Sequence, residues 1–118
     1  MEQNCIFCKI IAGEMPADQV YKDELVTAFR DIHPQAPTHI LIVPNMHFES
    51  LAEMGDDEAE ILGRVVEVAN HLAEQEGVLD SGYRFVTNVG PDAGQAVFHT
   101  HFHLIGGRPL GRMVKPLR

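Results

Sequence analysis

The chain has 118 residues, 45% of them hydrophobic and 22% charged, which fits one globular domain spanning 1–118 with a core that needs no disulfide staples. Its formal charge of −8 argues against nucleic acid and against an anionic membrane as partners, because both are gathered by clustered Lys and Arg. The start Met1-Glu2-Gln3-Asn4 lacks the basic and apolar regions of a secretory signal, and no apolar run approaches membrane-spanning length, so the expected location is cytoplasmic.

In chain order, Cys5 and Cys8 come first, as Cys-x-x-Cys. In a reducing compartment this spacing reads as half of a zinc site or as a redox pair. Ile6 to Ala12 predicts a short helix ended at Gly13 and followed by Pro16, which cannot continue it. Val20-Tyr21 and Leu25 to Asp31 read as paired strands across a Lys22-Asp23-Glu24 turn. His39 to Val43 is β-branched and apolar between Pro37 and Pro44, which predicts a central strand. From Asp56 to Glu76, Ile61, Val65, Val68 and Leu72 recur at helical spacing, and Leu62, Val66, Ala69 and Ala73 widen the stripe. Asp56, Asp57 and Glu58 suit the positive end of that helix, and Gly77 its left-handed cap. Tyr83 to Asn88 and Val97 to Ile105 complete the strands. Short connections and one main helix imply an α+β fold with an antiparallel β-sheet, one long helix and a short N-terminal helix.

The chemistry concentrates in Val97-Phe98-His99-Thr100-His101-Phe102-His103-Leu104-Ile105. In a strand, His99, His101 and His103 would line one surface while Phe98, Thr100, Phe102 and Leu104 face a core. Imidazole, with an ordinary pKa near 6.5, serves as neutral nucleophile or charged donor near neutrality. A zinc site made of all three is disfavoured, since the Cα atoms of His99 and His103 would lie about 13 Å apart at about 3.3 Å per residue. In the preceding loop, Gly94 permits a backbone nest, so the amides of Gly94, Gln95 and Ala96 are candidate phosphate donors, with the Asn88 side chain beside them. A histidine that attacks phosphorus makes a phosphoramidate and divides one displacement into two easier steps. His33 and His71 carry no special pattern and read as surface residues.

His99-Thr100-His101-Phe102-His103-Leu104-Ile105 resembles the histidine-triad motif, His-x-His-x-His followed by two apolar residues. Cys5 to Ile11, Phe29 to His39, Gly94-Gln95 and Gly106-Gly107-Arg108 extend the resemblance to the nucleotide-binding phosphoramidase branch of the histidine-triad (HIT) superfamily. That resemblance implies a HIT-like fold, a homodimer, and a hydrolase of purine nucleoside 5′-monophosphoramidates or related nucleotidyl bonds acting through a nucleotidyl-histidine intermediate. His101 would be the nucleophile, with His99, His103 and His39 as the other catalytic histidines. Asp31 would bind the ribose, Ile6, Phe7, Ile10, Phe29 and Ile32 the base, and Asn88 with Gly94, Gln95 and Ala96 the phosphate; His101 and His103 would also touch the nucleotide. It further implies a structural zinc ion held by Cys5, Cys8, His47 and His99. Two positions depart from the branch: Ala96 stands where a phosphate-touching Ser is frequent, and Thr100 where the motif is fully apolar. The alternatives are a dinucleoside polyphosphate hydrolase or nucleotidyl transferase, and a nucleotide-binding regulator with weak catalysis.

Overall fold

The run Thr-His-Ile-Leu-Ile-Val-Pro alternates side chains between two faces, and covering both faces organises everything else. A computed structural model describes residues 4–115. Its elements are helix α1 (Ile6–Ile11), strands β1 (Gln19–Lys22), β2 (Val26–Arg30) and β3 (Thr38–Pro44), helix α2 (Ala59–Gln75), and strands β4 (Tyr83–Val86) and β5 (Phe102–Gly106). Single 3-10 turns lie at Leu51–Glu53, Asp56–Glu58 and Pro91–Ala93. The strands form one sheet in the order β1-β2-β3-β5-β4, with every neighbouring pair antiparallel.

All seven residues of the central β3 are buried. Ile40 and Ile42 point to one face with Val26, Ala28, Phe102 and Leu104, where Val65, Val68, Ala69, Leu72 and Ala73 of α2 cover them. Leu41 and Val43 point to the other, where Phe29 and the α1 residues Phe7, Ile10 and Ile11 form a second cluster. His39 shares that second face by alternation, and the register Leu41↔His103 brings His103 of β5 onto it.

The turn from β1 to β2 is built on Asp23, whose carboxylate accepts the Leu25 and Val26 amides at 2.7 and 2.9 Å, the Tyr21 hydroxyl at 2.6 Å and an Arg64 N–H of α2 at 2.6 Å. Burial would raise this carboxyl, but the hydrogen bonds from Tyr21, Val26, Leu25 and Arg64 outweigh it and hold the pKa at about 2. Arg30 of β2 makes a bidentate pair with Glu76 at 2.9 and 2.8 Å, tying the sheet to the C-terminal end of α2. Gly77 follows with φ +75°, a conformation only glycine adopts without strain, and ends the helix as expected.

Four expectations need correction. The stretch from Val97 to His101 is not strand, and β5 begins only at Phe102. The backbone N–H and hydroxyl of Thr100 both bond the Phe48 carbonyl, at 2.7 and 3.0 Å, so a loop rather than a neighbouring strand holds this segment. Phe98 consequently faces solvent, 51% exposed, where alternation had put it in the core. Val66 of α2 is likewise 52% exposed, on the outer side of the stripe formed by Val65, Val68 and Leu72. β4 ends at Val86, leaving Asn88 in the following loop.

Candidate active site and metal centre

The histidine strip splits into two groups joined by His101. His99, fully buried, turns its Nδ1 toward three donors: Cys5 Sγ at 3.3 Å, Cys8 Sγ at 3.5 Å and His47 Nδ1 at 3.1 Å. Cys8 Sγ also lies 3.4 Å from His47 Nδ1, and all four donor atoms fall within 4.8 Å of one another. The other nitrogen of His99, Nε2, lies 2.8 Å from the Pro44 carbonyl. A carbonyl only accepts, so Nε2 carries the proton and Nδ1 presents its lone pair to the cluster. Burial is the main cause that lowers the His99 pKa to about 4, against the Pro44 bond that raises it, so the ring is neutral at pH 7.

Such an arrangement fits a tetrahedral divalent metal ion. Donors at about 2.0–2.3 Å from a central ion lie about 3.3–3.8 Å from each other, close to the separations found here. The proton on the remote nitrogen, given to a backbone carbonyl, is the outer contact that metal-bound imidazoles use.

Asp31, His39 and His103 form a second cluster whose donor atoms also lie within 4.8 Å of one another, but its protons are placed differently. The Gln35 backbone N–H donates to His39 Nδ1 at 3.1 Å, so the proton of the neutral ring is on Nε2. That Nε2–H faces His103 Nδ1 at 2.9 Å and Asp31 Oδ2 at 3.4 Å. It is a hydrogen-bond donor, and a metal would have to displace its proton. His103 in turn accepts at Nδ1 and holds its own proton on Nε2. Burial lowers the pKa of His39, with Asp31 pulling it back. Burial, then the neighbouring His101 and His39, lower His103 to about 4. The two imidazoles of this cluster form a donor chain, from His39 Nε2–H to His103 Nδ1, beside the Asp31 carboxylate, which accepts.

His101 sits between the two, 6% exposed, its ring centroid 5.1 Å from that of His103 and 5.1 Å from that of Phe7. Its Nδ1–H donates to the main-chain carbonyl of His99 at 2.7 Å, a bond that directs Nε2 away from that carbonyl and, in the uncharged form of the ring, puts the lone pair on Nε2. This is the form a nitrogen nucleophile needs.

The flanking residues are placed as follows. Phe7, Ile10 and Phe29 are buried together beside His101, with Phe7 and Phe29 edge to face at 5.4 Å, while Ile6 and Ile32 are exposed. Asp31 follows β2 and also accepts the His33 amide at 2.8 Å. Gly94 adopts the left-handed region at φ +87°. Two of the candidate phosphate amides are engaged within the turn: Gly94 N–H bonds the Pro91 carbonyl at 3.0 Å and Gln95 N–H the Gly90 carbonyl at 3.1 Å. Gln95 itself is buried, its side chain accepting the Gly90 amide and donating to the Glu49 and Val97 carbonyls. It braces the loop against its neighbour. Ala96 is exposed, Asn88 half-buried, and His33 and His71 are exposed as expected. Sequence reading missed the Pro44 and His99 carbonyls and the Gln35 amide, because backbone groups carry no residue signature. No helix among the described residues is long and apolar enough to cross a membrane.

Comparisons with known proteins match the chain along nearly its whole length. The purine nucleoside phosphoramidase of Escherichia coli K12 is 52% identical over 114 residues, covering 97% of this chain and 96% of that protein. The 14 kDa zinc-binding protein of Zea mays is 52% identical over 107 residues, covering 89% and 83%. The solved HIT family hydrolase from Clostridium thermocellum superposes with a TM-score of 0.93 at 44% identity, covering 98% of this chain and all of that one. The HIT domain model matches residues 12–110. With its histidine triad set in the same sheet and helix framework, this chain belongs to the HIT domain family.

Proposed function

We propose that the protein hydrolyses purine nucleoside 5′-monophosphoramidates or related nucleotidyl bonds, with His101 as nucleophile. The observation that carries this reading is the 2.7 Å bond from His101 Nδ1 to the His99 carbonyl, which orients a lone pair on Nε2 inside a cluster of neutral imidazoles. Attack of Nε2 on phosphorus forms the P–N bond to His101 and breaks the bond to the amine, which leaves with a proton. Water then cleaves the nucleotidyl-histidine. His103, carrying its proton on Nε2 and held through Nδ1 by His39, donates to phosphoryl oxygen or leaving group, and such aimed donors lower barriers where charge develops. Asp31 accepts from the ribose hydroxyls. Ile6, Phe7, Ile10, Phe29 and Ile32 flank the base, and Asn88 with the Ala96 amide contributes to the phosphate site. The names and near-complete coverage of the Escherichia coli and Clostridium thermocellum relatives support the reaction class.

We also propose that Cys5, Cys8, His47 and His99 hold a structural zinc ion. The sulfur and nitrogen donor set is the one zinc prefers, and all four positions are filled by protein. When bound, the ion supplies a cross-link between α1 and the segments that follow β3 and precede β5. A homodimer and a cytoplasmic location complete the reading; β4 forms one edge of the sheet, with a hydrogen-bonding side that β5 does not cover.

The test is incubation with adenosine 5′-phosphoramidate and, in parallel, with diadenosine polyphosphates, followed by acid-free trapping of labelled nucleotide on the protein. Faster turnover of the phosphoramidate and label mapped to His101 are expected. His101→Ala should abolish trapping and reduce turnover at least about 10³-fold, as loss of a covalent nucleophile does. Preferential cleavage of the polyphosphates, or label on another residue, would overturn the assignment.

A further inference from the structure

The two cysteines precede the matched HIT domain, which begins at residue 12, yet the helix that bears them touches the reacting histidine. Both sulfurs lie within 4.8 Å of every other donor in the metal cluster. With a rise of about 1.5 Å per residue on a cylinder of radius about 2.3 Å, Cα atoms three apart on a helical turn are about 5 Å from each other, inside the span of about 4.4–6.8 Å that a disulfide bridges. A cavity of about 360 Å³, open to solvent and lined in part by Cys5, His47, Ala96 and Phe98, gives a small solute a route to the Cys5 side of the cluster.

Two contacts connect the cluster to His101. His99 joins the metal donors through its ring, while its main-chain carbonyl receives the His101 Nδ1–H at 2.7 Å. Phe7, between the two cysteines, makes T-shaped ring contacts with both His99 and His101, at 5.9 and 5.1 Å between centroids. Whatever frees α1 or the His99 ring removes restraints from the nucleophile.

We propose that Cys5 and Cys8 form a peroxide-sensitive modification site, at which oxidation to a disulfide expels the metal ion and weakens nucleotidyl transfer to His101. This rests on the zinc reading above. One sulfur attacks an oxygen of hydrogen peroxide; the O–O bond breaks, hydroxide takes a proton and leaves as water, and the sulfur becomes a sulfenic acid. The second sulfur displaces the sulfenic hydroxyl, which leaves as a second water, and the S–S bond forms. Two thiolates have lost two electrons, the peroxide has taken them with two protons, and the metal departs as a dication, since two imidazoles alone do not retain it.

The experiment uses the full chain loaded with zinc and freed of reductant. Hydrogen peroxide is titrated in while released zinc is followed with a chromophoric chelator, remaining thiols with a thiol-reactive dye, and the adduct by intact mass. Zinc release in step with the loss of both thiols and a mass lower by about two hydrogens is expected, with reversal by dithiothreitol plus zinc. Capture of labelled nucleotide on His101 should fall several-fold in the oxidised protein and recover on reduction. Cys8→Ala, which retains one sulfur, should gain oxygen and form no intramolecular disulfide. Zinc-loaded protein that keeps its metal and thiols under peroxide, or loses zinc without a disulfide, refutes the modification site and leaves the zinc reading standing. Unchanged nucleotide capture after complete oxidation refutes the coupling to His101. A chain that takes up no zinc refutes both.

Discussion

Replacing His103 by Asn should make the protein less sensitive to acid, and the size of the effect follows from the ring's surroundings. In the folded chain burial, together with His101 and His39, lowers the His103 pKa from 6.5 to about 4. A histidine whose folded pKa is depressed stabilises the fold fully above its unfolded value, and that contribution is lost as pH falls from about 6.5 toward 4, because the unfolded chain takes up the proton first. Between pH 7 and pH 5 a displacement of this size is worth roughly 2 kcal/mol, and solvent at the half-buried ring reduces it to about 1 kcal/mol. Asn offers an oxygen in the place of Nδ1, so the His39 Nε2–H keeps an acceptor while the titration disappears. Urea unfolding of both proteins at pH 7 and pH 5, in matched buffers and with equal zinc, gives four stabilities. Acid effects on the metal site and on His39 enter both proteins and largely cancel in the double difference. The wild type should lose about 1 kcal/mol more than His103→Asn. Equal losses in the two proteins would refute the claim that His103 is held neutral by its setting.

Further outcomes follow from the fold. Leu72→Ala empties a position 1% exposed between α2 and the sheet, and should cost about 3–4 kcal/mol. With an unfolding entropy near 0.25 kcal/mol/K for 118 residues, calorimetry should show Tm lower by roughly 12–16 °C. Asp23→Asn keeps acceptors for the Leu25 and Val26 amides but loses the charge facing Arg64; the expected loss is about 1 kcal/mol at pH 7 after solvent screening, measured by urea unfolding. Because a depressed carboxyl stabilises above its ordinary pKa of 3.8 and ceases to do so as pH falls toward about 2, the two proteins should converge in strong acid. Stripping the metal with a chelator should lower the wild-type Tm by roughly 16 °C if about 4 kcal/mol of binding is removed, as at a thousandfold excess over Kd. Cys8→Ser should already melt near that lower temperature and respond little to chelator.

The parts of this molecule that side chains encode were legible in its sequence. Apolar β-branched residues between prolines marked β3, and spacing at Val65, Val68 and Leu72 marked α2 with its Gly77 cap. The Cys-x-x-Cys start and the histidines identified the donors that converge as Cys5, Cys8, His47 and His99, although His47 and His99 entered through family resemblance rather than through spacing. What failed was the even alternation of the histidine strip. Thr100 pairs with the Phe48 carbonyl in a distant loop, and local periodicity contains no trace of that partner. The same limit hid the proton map of the site. The Pro44 carbonyl, the Gln35 amide and the His99 carbonyl decide which nitrogen of each ring is protonated, and every residue type offers those groups. Gly94 did signal a special backbone, but the engagement of its amide with Pro91 turns that flexibility inward.

Helix α1 has six residues, too few to persist alone in water, and its partners are Phe29, Leu41 and Val43 of the middle strands and His99 far along the chain. Cys5 meets His99 across 94 positions, a closure whose chain entropy alone costs roughly 4 kcal/mol. Synthesis therefore releases the cysteine pair from the ribosome long before His99 exists to receive it. During that interval the first segment is an unstructured dithiol, available to whatever metal or oxidant surrounds the nascent chain. Docking of the N-terminus becomes a closing event of folding, and the composition of the surroundings at birth helps decide how many chains complete it.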